Sequence, residues 1–233
     1  MNRETIKLLA MLTMFCNHFA CVFLETGTAG NEIMTDIGYF TAVTMCYFLV
    51  EGYHYTHSRK KYAQRLLVFG VISQIPYSLA LGAENLNMMF TLFLCFLIVF
   101  VMENVKNKGE KTGLIIALVF CTTFTDWAWL AGIFTILFVW SKGNWKRTAF
   151  SYTVDIALFG LMNLLSYSNA YPIREAVLHS LISCMGIAAS GIVILCFYDG
   201  KCSSKTRKYQ KWFFYLFYPL HLFGLWIVDY FFF

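Results

Sequence analysis

The sequence predicts an all-α integral membrane protein of about nine transmembrane helices, N-terminus inside and C-terminus outside. Three observations predict it. The chain is 59% hydrophobic and 13% charged over 233 residues, and a soluble domain would carry roughly twice that charged fraction. Its apolar runs follow one another over nearly the whole length, each near the roughly 20 residues that a bilayer-spanning helix needs. And seventeen of its eighteen Lys and Arg residues sit in clusters that skip every second gap between those runs.

The clusters are Arg3/Lys7; Arg59, Lys60, Lys61 and Arg65; Lys106, Lys108 and Lys111; Lys142, Lys146 and Arg147; and Lys201, Lys205, Arg207, Lys208 and Lys211. The skipped gaps hold Glu25 and Glu32, then Glu84, then Asp126, then Glu175, with Arg174 the one exception. This is the positive-inside pattern. It starts the chain inside, sends odd spans outward, and puts Arg174 outside, paired with Glu175 or lining an acceptor's entrance.

The spans read as approximately 5–24, 34–55, 65–82, 86–104, 112–125, 127–141, 148–165, 176–198 and 212–232. The runs do not alternate, which favours helices over a barrel, the other fold that satisfies backbone groups in lipid. The fifth and sixth runs are short. Thr125-Asp126-Trp127 between them is either a tight outer turn or part of a re-entrant pair. Trp127, Trp129, Trp140, Trp145 and Trp212 lie near span ends, as an aromatic belt requires. No internal repeat is visible, and residues 1–233 read as a single membrane domain. Asn17-His18 interrupts the first run and no small-residue cleavage site follows, so that run is expected to be retained as a span. The net charge of +5 arises in the inside loops, where anionic headgroups would also attract it; it does not indicate nucleic-acid binding. Eight Cys with no CxxC pair predict neither a disulfide framework nor a metal site.

Polar residues within spans are costly to place there and mark candidate sites. His18 lies about thirteen residues into the first span, roughly 20 Å from its inner end and so in the outer half of the membrane. Asn17 precedes it. The ninth span holds Tyr218-Pro219-Leu220-His221, where Pro219 frees a carbonyl and bends the helix. The third holds Ser73-Gln74-Ile75-Pro76-Tyr77, the second ends in Glu51-Gly52-Tyr53-His54, and the fourth carries Asn85, Asn87 and Thr91. Each has a bland alternative. His18 or His221 alone is as well explained by interhelical hydrogen bonding; both together, with Gln74 and Glu51, favour a polar cavity. Glu51 and His54 share a helix face compatible with a metal pair, but without a second Glu-x-x-His a structural or cofactor-contacting role is preferred. Arg59, Lys60 and Lys61 serve topology first. Asp155 and Asp229 read as interface residues, and His179 is assigned no special role.

A neutral imidazole can take a proton from an amine or hydroxyl, and Lys and Arg at an inner mouth can hold phosphates. The outline is a transverse reaction: anionic donor inside, base deep in the membrane, acceptor outside. An anion transporter shares several of these features.

The same residues resemble the TraX family, whose named member acetylates the N-terminus of conjugative F-type pilin. The resemblance covers most of the chain. It runs through Ile6 to Met14 with Asn17-His18, Phe48 to Gly52 with His54-Tyr55-Thr56, and Arg65-Leu66-Leu67 with Ile72 to Tyr77. It closes on Phe214 to Leu222, with weaker echoes at Asn87 to Leu92 and Asp126. Where the family typically has Asp-His, this chain has Asn17-His18, which removes a charge that would raise the basicity of the imidazole. The family in turn resembles membrane acyltransferases that O-acetylate bacterial surface sugars. That resemblance implies acetyl-CoA as acyl donor and a multi-pass location in the bacterial cytoplasmic (inner) membrane. It implies His18 as general base, with Asn17 and His221 beside it as catalytic candidates. Arg59, Lys60, Lys61 and Arg65 become candidate contacts for the CoA phosphates, and Glu51, Gln74, Tyr218 and Thr91 line the cavity. The acceptor would be a peptide N-terminus or a surface glycan or lipid. The ranking is a membrane acyltransferase first, a transporter or channel for a small anion second, and a structural or assembly protein third.

Overall fold

A computed structural model describes residues 1–200 and 207–232, with side chains throughout except at residues 207–211. The basic cluster Lys201, Lys205, Arg207, Lys208 and Lys211 lies outside the described side chains.

Among the described residues nine α-helices follow in order: α1 Arg3–Phe23, α2 Ala29–Tyr55, α3 Arg59–Leu81, α4 Met88–Asn104, α5 Lys108–Thr122, α6 Ala128–Ser141, α7 Trp145–Tyr167, α8 Ile173–Ile192 and α9 Arg207–Phe232. A single π-turn, Val193–Phe197, extends α8. Among the described residues no β-strand forms; Leu86 and Thr125 make one isolated bridge.

Five of these stretches are long and apolar enough to cross a membrane: Arg3–Phe23, Ala29–Tyr55, Trp145–Tyr167, Ile173–Phe197 and Trp212–Phe232; Met88–Asn104 and Ala128–Ser141 are shorter apolar helices. The chain is thus a helical membrane protein. Several helices begin before the apolar runs do, because polar caps and charged first turns extend them. Ser58 accepts from Lys61 N and starts α3 at Arg59, six residues ahead of the apolar run. Asn144 accepts from Arg147 N and starts α7 at Trp145. Asn87 and Asn107 cap α4 and α5 in the same way. A side-chain oxygen at this position satisfies an amide that the first turn leaves without a partner. Gly82 ends α3 at φ +60, a left-handed conformation that glycine adopts without strain.

The chain divides into two compact units, Met1–Thr44 with Ser141–Cys202, and Met45–Trp140 with Ser203–Phe233. α2 contributes to both.

In the first unit, α1, the start of α2, α7 and α8 meet through small residues and hydroxyls. A Cβ built on Gly38 would lie 2.2 Å from Asn17 Cβ, and one on Gly186 would lie 2.3 Å from the Asp36 carbonyl oxygen. Such contacts let helix backbones approach closely. Hydroxyls bond across the seams. Thr13 Oγ1 lies 2.9 Å from Thr41 Oγ1, which donates to Ala10 O at 2.6 Å. Ser190 Oγ joins Thr44 Oγ1 at 2.7 Å and Tyr152 Oη at 3.2 Å. The carbonyls of the π-turn, which an α-helical ladder would use differently, accept from Trp145 Nε1 at Leu195 and from the chain's amino terminus at Phe197.

In the second unit, α3 packs on α4 and α9, and α4 on α5. Phe69 stacks on Tyr215 with ring centroids 5.0 Å apart, and Tyr62 and Tyr53 each pack against Phe96.

Candidate functional site

The second unit gathers most of the polar residues that the spans singled out. The loop between α3 and α4 is pinned by Gln74. Its Oε1 accepts from Asn87 N at 3.0 Å and Asn87 Nδ2 at 2.9 Å, and its Nε2 donates to Asn85 O at 3.0 Å and Ser78 Oγ at 3.2 Å. Asn87 Nδ2 also donates to Gly70 O at 2.8 Å, closing α4 onto α3. Tyr77 Oη reaches Asn85 Oδ1 and Asp126 Oδ1, each at 3.2 Å. The backbone bridge completes the arrangement: Leu86 N donates to Phe124 O and Asp126 N to Leu86 O. Residues 123–127 are therefore a turn held against the α3–α4 loop. Removal from water pushes the half-buried Asp126 carboxyl up to about 6, against the opposing pull of the Tyr77 hydroxyl.

α9 enters this region at Tyr218, which is 3% exposed and accepts from Met88 N, the first amide of α4, at 3.3 Å. Pro219 has no N–H to give the Tyr215 carbonyl one turn earlier. One turn of helix places His221 Nδ1 2.8 Å from Phe217 O, with the imidazole stacked on the Phe217 ring at 4.7 Å. A carbonyl only accepts, so Nδ1 carries the proton and Nε2 presents the lone pair. That tautomer suits a base or a hydrogen-bond acceptor.

Among the buried side-chain atoms of this unit without a protein hydrogen bond are three donors, Arg65 Nε, Ser73 Oγ and Thr91 Oγ1. Ser73 and Thr91 are 0% exposed. The Arg65 guanidinium lies between two tyrosine rings, 5.7 Å from the Tyr62 centroid and 5.8 Å from that of Tyr215. Arg59 stands over Tyr53 at 4.4 Å, while Lys60 and Lys61 are exposed. Glu51 is half-buried on α2, and His54 lies 3.7 Å from Glu103 of α4.

The first unit holds the other catalytic candidates. His18 is 7% exposed. Asn17 donates through Nδ2 to Thr35 O at 3.0 Å and packs on Gly38, so its amide latches α1 to α2. Here two sequence expectations change. Asp155 is not an interface residue: it is 0% exposed, near the middle of α7, and neither carboxyl oxygen has a hydrogen bond. His179, assigned no role, stands 3.5 Å from Glu32 and stacks on Tyr171 at 5.0 Å, with Tyr167 at 5.4 Å. Tyr167 Oη lies 3.4 Å from Ser183 Oγ. Nothing local in the sequence signals that cluster; it exists because α2, α7 and α8 converge.

The motif residues that converge in each unit come from segments far apart in the chain, and they match a known pattern. Residues 2–229 match the TraX protein family. The chain belongs to the TraX family. It is 31% identical to the "Probable fimbrial assembly protein FimC, serogroup H1" of Dichelobacter nodosus, over 93% of this chain and 91% of that relative. No solved structure matches the chain.

Proposed function

We propose that this TraX-family protein is a membrane-embedded acyltransferase that moves an acetyl group from cytosolic acetyl-CoA to an amine or hydroxyl on the far side of the bacterial inner membrane. In this reading the Arg59 end of α3 faces the cytosol, with the N-terminus inside, the C-terminus outside and nine crossings. Membership of the TraX family over residues 2–229 carries the proposal. The family is associated with pilin acetylation, and the Dichelobacter relative is named for fimbrial assembly. A pilin-like N-terminal amine is therefore the preferred acceptor, ahead of a surface glycan or lipid.

The residues present fit an acyl-CoA donor. Arg59, Lys60 and Lys61 open α3 as a cationic head, and Arg65 one to two turns on has a buried Nε–H with no protein acceptor. These groups suit phosphates. His18 removes the proton of the attacking nucleophile. His221, held as the Nδ1–H tautomer, presents an imidazole lone pair within the second unit. Gln74, Thr91, Tyr218 and Glu51 shape the cavity.

The test is label transfer from carbonyl-labelled acetyl-CoA by purified protein in liposomes, with a peptide bearing a free N-terminus and the same peptide N-blocked. Label should enter the free peptide only, and His18→Ala should lower the rate about 100-fold or more. Folded protein that transfers label to neither peptide nor to any glycan or lipid acceptor would sink the proposal. Donor-independent anion flux in the same liposomes would install the transporter reading in its place.

A further inference from the structure

Buried polar groups in folded proteins are almost always hydrogen-bonded, so those that are not call for an explanation. In the second unit the buried atoms without a hydrogen bond include three donors on two facing helices. Arg65 Nε and Ser73 Oγ are both on α3, and Thr91 Oγ1 is on the facing segment of α4. The two segments are held together. Asn87 donates to Gly70 O and to Gln74, and a Cβ on Gly70 would touch the Phe90 ring at 3.3 Å. So the turn 70–74 of α3 lies against the turn 87–91 of α4, and Ser73 and Thr91 belong to that contact. An arginine is a donor only. Two hydroxyls farther along the same pair of helices, each with a proton to give, ask with it for a ligand rich in acceptors. The spacing adds a length. Eight residues of helix separate Arg65 from Ser73, about 12 Å, and fourteen separate Arg59 from Ser73, about 21 Å. That is the range an extended pantetheine arm covers between its phosphates and its thioester.

We propose that Ser73 and Thr91 hold the carbonyl oxygen of the donor's thioester while Arg65 takes a phosphate at the other end of the same molecule. The proposal rests on the acyltransferase reading and deepens it. The acceptor amine's nitrogen adds to the carbonyl carbon, and the C–O π electrons move onto oxygen, where the two hydroxyls stabilise them. The oxygen electrons then re-form the carbonyl, the C–S bond breaks, and the sulfur leaves with its electron pair. The proton lost by nitrogen ends on that sulfur, giving an amide and free CoA thiol. Two hydroxyls fixed by the α3–α4 contact donate best to the oxygen that gains charge, so they act on kcat more than on KM.

The experiment combines isotope-edited infrared spectra of acetyl-CoA labelled with carbon-13 at the carbonyl, bound to the full-length protein, with steady-state transfer. The expected result is a carbonyl band shifted to lower frequency in the wild type and returned toward its solution position in Ser73→Ala/Thr91→Val. In that variant kcat should fall about 100-fold with KM for acetyl-CoA within a factor of three or so, and Thr91→Ser should keep the wild-type shift and rate. Because neither hydroxyl has a protein partner, the thermal midpoint should hold or rise. An unshifted wild-type band, an unchanged kcat in the variant, or a clear loss of thermal stability overturns the inference; the last two mean a bound water or a structural role. If acetyl-CoA binds and is turned over with these results, the acyltransferase reading survives without it. If acetyl-CoA does not bind at all, both fall.

Discussion

The two units handle buried polarity in opposite ways. In the first, hydroxyls and amides are spent on one another: Thr13 with Thr41, Thr44 with Ser190 and Tyr152, Asn17 with the α2 backbone. The buried atoms without a hydrogen bond there include both oxygens of an acid, Asp155. In the second unit a polar cluster around Gln74 is satisfied, and the buried atoms without a hydrogen bond include a set of donors, Arg65, Ser73 and Thr91. A membrane interior makes both costly. The chemistry of these particular atoms matters more than the cost. Donors without acceptors fit an anionic, carbonyl-bearing ligand; an acid without donors does not.

The largest effect that sharpens the comparison is steric. Gly186→Ala drives a Cβ to 2.3 Å from the Asp36 carbonyl oxygen and 3.0 Å from Phe40 N, both backbone atoms that cannot swing away. It should destabilise the first unit by about 3 kcal/mol or more. Gly70→Ala in the second unit meets only the Phe90 ring at 3.3 Å and should cost about 1 kcal/mol. Thermal unfolding in detergent, followed by gel filtration, ranks the two; equal effects would mean that the units do not differ in how closely their helices approach.

Next comes the satisfied cluster. Gln74→Ala strips partners from Asn85 O, Asn87 N and Asn87 Nδ2 and should destabilise by about 2–4 kcal/mol, read in the same assay. The opposite sign is expected at Asp155→Leu. Replacing a carboxyl that has no hydrogen bond with an apolar group should stabilise by about 1–3 kcal/mol; a drop in the midpoint would show that Asp155 is paired after all.

The smallest effect is the pH dependence at Asp126. Its carboxyl is held near 6 when folded, above its ordinary 3.8. The folded state therefore keeps its proton over a window in which the unfolded state has lost it. This contribution is fully present below about pH 4, declines as pH rises to about 6, and is flat above that. Asp126→Asn, which still accepts from Tyr77, should gain on the wild type across that window by about 1 kcal/mol or less, given solvent screening at a half-exposed site. A constant difference from pH 4 to 7 would contradict the shifted carboxyl.

Much of this was readable from the sequence, and the failures have physical causes. The runs located the nine helices of the described residues, five of which hold stretches long and apolar enough to cross a membrane. They misplaced helix starts, by six residues at Arg59 and three at Trp145, because Ser58 and Asn144 extend helices through charged residues that an apolar window rejects. Gln74, Tyr218 and Thr91 stood out as polar groups in apolar runs, and the fold gathers them in one unit. The His179–Glu32 pair and the tyrosines around it depend on helices distant in sequence, and no spacing announces them. Ser73 was noticed only as a neighbour of Gln74; that it lacks a partner is a property of packing, not of composition.

Equilibrium binding of acetyl-CoA to the purified protein in nanodiscs tests the contrast between the units most directly. The account predicts saturable binding that weakens at least tenfold, by roughly 1.4 kcal/mol or more, in Arg65→Gln. Binding should also weaken as salt is raised and be unchanged in Asp155→Leu. No saturable binding by the wild type, or equal losses from Arg65→Gln and Asp155→Leu, would contradict it.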